Sequence, residues 1–99
     1  MTIEYIGKAD SMLAEYTAML ERSGSRNAQA KVLLAEAEEL AAESRELESR
    51  EFMASAPELA QLNAHRAALH EQIDAKSSQV MRLHQETYDE WERFTNTRW

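Results

Sequence analysis

The sequence predicts an all-α fold: an antiparallel helical hairpin or a three-helix, coiled-coil-like bundle with a long C-terminal helix. Three observations predict it. Glycine occurs twice and proline once in 99 residues, which leaves little turn chemistry. Ala, Glu, Leu, Arg and Gln, the strong helix formers, are abundant, while only two Val and three Ile supply β-branched strand material. Apolar residues recur at alternating spacings of three and four, the period of a helix that buries one stripe.

A first helix is expected over about residues 2–22, with Thr2 placed to cap it. Ile6, Ala9, Leu13, Tyr16 and Leu20 form its seam, and Met12 and Met19 widen the stripe. Ser23-Gly24-Ser25-Arg26-Asn27 reads as a break. Gly24 suits the left-handed position after a helix, and Ser25 or Asn27 suits the cap of the next. So short a connection favours antiparallel neighbours.

A second helix is expected over about 28–53. Leu33, Leu40 and Leu47 recur every seventh residue, with Ala30, Ala37 and Ser44 between them. Large-against-small alternation lets a neighbouring helix approach closely. Ser55-Ala56-Pro57-Glu58 reads as a reversal and a new start: Ser55 and Glu58 have capping-box spacing, and Pro57 falls where a missing N–H costs nothing. A kinked continuous helix is the alternative.

A third helix is expected over about 56–96. Its seam reads Leu59, Leu62, Arg66, Leu69, Ile73, Lys76, Val80, Leu83, Thr87, Glu90 and Phe94. At 1.5 Å per residue it spans ~60 Å, twice the reach of the first helix, so part of it should project or pair with a second copy. The whole is one domain, 1–99.

Composition also bounds function. With no cysteine, disulfides, thiolate metal sites and cysteine nucleophiles are excluded. No apolar run is long enough to span a membrane, and no basic-then-apolar N-terminus marks a signal peptide. The expected location is the cytoplasm, with export by a signal-less route as the alternative. A net charge of −7, with the basic residues scattered, disfavours direct binding to nucleic acid or anionic lipid.

Two groups of residues stand out. Tyr88, Trp91, Phe94 and Trp99 cluster near the C-terminus after Met81 and Leu83, with Arg93 and Arg98 beside them. Such residues are enriched in interface hot spots, which points to partner binding or dimerisation. The other reading packs the aromatics on Tyr5, Ile6 and Met12 as core. The second group is an acidic helix face that includes Glu36, Glu39, Glu43 and Glu46. It reads as a solvated face, or as a row of carboxylates that imitates phosphates.

Catalytic and metal chemistry find little support. His70-Glu71-Gln72-Ile73-Asp74 resembles the helical zinc motif, but Asp74 stands where its second histidine belongs. His65 and His84 lie elsewhere, and no Glu-x-x-His pair exists for a di-iron bundle. The serines sit in no strand–turn–helix elbow, and no Gly-rich loop is available to hold phosphate. No cofactor and no metal are expected.

The chain length, the hairpin and Tyr88-x-x-x-Glu92 resemble the small secreted substrates built on a Trp-x-Gly hairpin turn. The Trp-x-Gly itself is absent, and Ser55-Ala56-Pro57-Glu58 occupies the reversal instead. In broad pattern the chain is also similar to small helical chaperones and coiled-coil accessory proteins of secretion systems. The expectation is therefore a non-enzymatic interaction module (adaptor, small chaperone or inhibitor) that acts by helix-on-helix packing, as a homodimer. An acidic, nucleic-acid-mimicking inhibitor is the first alternative. A secretion-system accessory or secreted hairpin protein is the second.

Overall fold

A computed structural model describes residues 3–98 of the chain, with the side chains of residues 9–96. The expected Thr2 cap and the side chains of Tyr5, Ile6, Arg98 and Trp99 lie outside the described residues. Two helices make up the structure: α1, Ile3–Glu51, and α2, Ala56–Arg98. They pack against each other along their lengths as an antiparallel hairpin, 80 × 18 × 12 Å.

The three-helix expectation is corrected. Helix α1 runs unbroken for 49 residues through Ser23-Gly24-Ser25-Arg26-Asn27. No residue of the described backbone takes a positive φ, so Gly24 makes no left-handed cap. The physical reason lies in the seam. Met12, Tyr16, Met19, Ser23, Arg26, Ala30, Leu33, Ala37, Leu40, Ser44 and Leu47 all turn toward α2, at spacings of four and three without interruption. A helix that keeps its heptad register across a polar stretch keeps its packing too, and packing outweighs local propensity. A mid-helix glycine costs only about 1 kcal/mol against alanine.

The seam expected for the first helix is corrected as well. Leu13 and Leu20 are 64% and 50% exposed, and Ala9 is exposed, whereas Met19 is 4% exposed. The buried stripe of α1 lies one position before the expected one, on Met12 and Met19. From Ala30 to Leu47, and from Leu62 to Phe94 on α2, the inward residues are those the spacing predicts. Leu59 alone falls outside, 37% exposed beside the turn.

Because α1 is continuous, it is the longer helix and covers α2. Nothing of α2 projects as a free C-terminal extension among the described residues. The reversal occupies residues 52–55, where Met53 and Ala54 donate backbone hydrogen bonds to the carbonyls of Arg50 and Glu51. The Leu59 N–H then donates to the Ser55 carbonyl at 2.8 Å and opens α2. Pro57 sits in that first turn, and Glu58 places negative charge at the positive end of the helix dipole.

The core is a thin strip. Met19, Ala30, Leu47, Leu69, Val80 and Leu83 are its buried apolar residues, and none of the described side chains is below 2% exposed. One apolar seam between two helices encloses little. No described helix is long and apolar enough to cross a membrane.

Candidate functional site

The seam carries charge at three levels, and each level is matched. On α2 the inward positions 66, 76 and 90 hold Arg, Lys and Glu. Arg66 donates to Glu51 at 2.6 Å and lies 3.8 Å from Glu48. Lys76 donates to Glu36. Glu90 accepts from Arg26 at 2.8 Å and from Arg22 at 2.7 Å. Arg26 also donates to the Thr87 hydroxyl at 3.4 Å, and that hydroxyl donates to the Leu83 carbonyl. Shifting one helix by a heptad would set Glu90 against Leu33 or Met19 in place of Arg26 and take Arg66 away from Glu51, so these two levels favour the observed register. Hydrogen bonding to Glu51 is the main reason the Arg66 guanidinium is held above its ordinary pKa, with a smaller opposing effect of burial.

The two edges of the seam differ in chemistry. In an antiparallel pair, equivalent flanking positions of the two helices face each other. One edge is charged: Glu43 meets His65 at 3.6 Å, an ion pair when the imidazole is protonated. Glu15, Arg22 and Glu36 follow on α1, with Glu86 and Arg93 on α2. On the other edge the Ser44 hydroxyl meets His70 Nε2 at 3.1 Å, and the Tyr16 and Trp91 rings lie 6.0 Å apart. This second edge becomes apolar toward the open end of the hairpin. Leu13, Leu20, Met81, Tyr88 and Trp91 all lie there, between 45% and 71% exposed.

The C-terminal aromatics divide between core and surface. Phe94 is half-buried, 5.8 Å from the Tyr16 ring and 6.1 Å from that of Trp91. Its place on α1 is against Tyr16, a contact the sequence reading did not foresee. Trp91 leans on the same cluster yet remains 45% exposed, and Tyr88 is 61% exposed. Met81 is exposed on the same face. Leu83 differs from them: it is buried beside Ala30, Val80 and Leu33 and packs the two helices together. Arg93 is exposed, with its Nε donating to the Asp89 carbonyl.

The acidic residues are largely engaged. Glu36 pairs with Lys76, Glu43 with His65, and Glu46 with Arg50 at 2.9 Å. Glu39 is exposed. Among the described residues no three His, Asp or Glu side chains converge as a metal site would require. The grooves along the hairpin, such as that lined by Glu43, Leu47, Arg50, Glu58, Leu62 and His65, lie open to solvent.

No family model, curated protein or solved structure matches this chain. Function has to be argued from its own surface.

Sequence reasoning missed two sets of residues. Arg22 and Arg26, at an expected helix end and break, supply the cations for Glu90. Leu13 and Leu20, at expected core positions, face outward. The signal for both was the unbroken run 16, 19, 23, 26, 30, hidden because its middle members are Ser and Arg.

Proposed function

We propose that this protein is a non-enzymatic protein-binding module, an adaptor, small chaperone or inhibitor, that works by packing one face of a rigid helical hairpin against another protein. The observation that supports this reading is the apolar edge of the open end. Five large apolar side chains, Leu13, Leu20, Met81, Tyr88 and Trp91, stand exposed on one side of a hairpin whose opposite edge is charged. Scattered exposed apolar residues need no explanation, but a one-sided group that includes Trp, Tyr and Met has the composition of an interface.

Nucleic-acid mimicry has weaker support. Phosphate imitation needs carboxylates free to face a partner, and Glu36 and Glu46 pair with Lys76 and Arg50 of the hairpin itself while Glu43 faces His65.

The test is capture from an extract of the source cell with immobilised full chain, Leu20→Glu and Glu39→Gln. Partners held by the native chain and by Glu39→Gln, and lost with Leu20→Glu, are the expected result. Partners lost with Glu39→Gln and kept with Leu20→Glu would transfer function to the acidic face.

A further inference from the structure

We propose that the apolar open-end face is covered by a second copy of this chain, so that two hairpins lie face to face as a four-helix bundle. The proposal rests on the binding-module reading and names the occupant of its surface.

Charge supports self-pairing. The chain carries a net charge of −7, so two copies meeting at an arbitrary face bring carboxylates together. On the apolar edge, the outward positions from Leu13 to Asn27 on α1 and from Ser77 to Thr95 on α2 hold no Asp, Glu, Lys or Arg. At about 1.5 Å per residue the strip between Asp10 and Lys31 is ~20 Å long on α1. Toward the turn the same face becomes charged again from Lys31 onward, with Glu38, Arg45, Glu48 and Asp74, and Asp10 bounds the strip at the open end. An interface between identical copies places like against like, and a strip without charge pays no repulsion for that.

Area supports it independently. The hairpin exposes 7601 Å². A compact monomer of this mass would expose only ~5,800 Å². The excess, roughly 1,800 Å², belongs to the elongated shape as a whole, and it is of the order of the ~1,000–2,500 Å² that each copy buries in an obligate dimer. Pairing at the strip also gives the Tyr16, Trp91 and Phe94 cluster the second layer that a two-helix seam lacks.

Sedimentation equilibrium of the full chain over a dilution series tests the proposal, beside Leu20→Glu, Tyr88→Glu and Val32→Glu. All three positions are at least half exposed in the hairpin, and Val32 lies toward the charged edge. The expected result is a dimer for the native chain and Val32→Glu. Self-affinity should fall about a hundredfold or more for Leu20→Glu and Tyr88→Glu, which put a carboxylate into an apolar interface.

A second measurement puts no carboxylate into the strip and leaves the core unchanged. The chain has no cysteine, so Thr17→Cys on the strip and Ser25→Cys away from it report access to a thiol reagent. Concentration-dependent protection at position 17 and none at 25 is expected. A native chain that sediments as a monomer throughout overturns the second-copy proposal, while capture that depends on Leu20 tests the broader reading separately. A dimer that survives both strip carboxylates, with position 17 open, overturns the placement.

Discussion

Arg26 and Glu90 meet across the hairpin at 2.8 Å, inside a seam that is mostly apolar. Their side chains are only 13% and 20% exposed. A partly desolvated pair of this kind adds little net stability, but breaking it leaves a charge without its partner. It therefore acts mainly on register: it is satisfied when α1 and α2 are aligned as they are, and poorly otherwise.

Removing one member should cost more than removing both. Arg26→Leu leaves Glu90 with Arg22 alone and should lower stability by about 2 kcal/mol. The double replacement Arg26→Leu with Glu90→Leu should recover most of that loss. Urea unfolding of the two single variants and the double variant, as a thermodynamic cycle, measures the coupling.

Gly24 should tolerate a side chain. It lies inside α1, and a Cβ added there meets nothing within 4 Å. Gly24→Ala should raise hairpin stability by up to about 1 kcal/mol, from helix propensity and reduced unfolded-state freedom. Thermal melts in the Leu20→Glu background keep self-association out of the measurement. A loss of stability there would mean that a left-handed turn exists at this position.

The corrected seam makes a sharp contrast between leucines. Leu69 is 4% exposed in the hairpin core and Leu13 is 64% exposed on its face. Leu69→Ala should cost about 2–3 kcal/mol, and Leu13→Ala less than about 0.5 kcal/mol. Chemical denaturation at low protein concentration, where the hairpin stands alone, reads both.

Arg66 separates guanidinium from ammonium chemistry. Its pKa is raised in the folded chain, chiefly by the hydrogen bond to Glu51. A raised pKa contributes stability that is complete below the unfolded value and is lost only as pH climbs through the folded one. For an arginine that window lies above the range in which proteins are handled. Arg66→Lys brings it down, because an ordinary lysine titrates near about 10.4. The variant should lose stability with rising alkalinity before the native chain does, as followed by far-ultraviolet circular dichroism in urea at graded pH.

Sequence alone determined that this chain is helical, that α2 starts at Ser55-Ala56-Pro57-Glu58 and which residues of α2 face its partner. Few glycines, abundant helix formers and a proline in the first turn after Ser55 are local signals, and local signals are legible without a partner. Heptad spacing likewise marked Leu33, Leu40 and Leu47, and Leu62 to Phe94, as inward. Tertiary structure decided the rest. Whether Ser23-Gly24-Ser25-Arg26-Asn27 turns or continues depends on what Arg26 finds across the seam, and Glu90 lies 64 positions away along the chain. Which side of the first α1 turns is buried was a choice between two stripes of similar apolarity, Met12 with Met19 or Leu13 with Leu20. Once α1 continues past Gly24, the Ala30–Leu33 register propagates back to Met19, and the leucines are left on the outside. The exposed strip is thus a consequence of long-range register, which no window of the sequence displays.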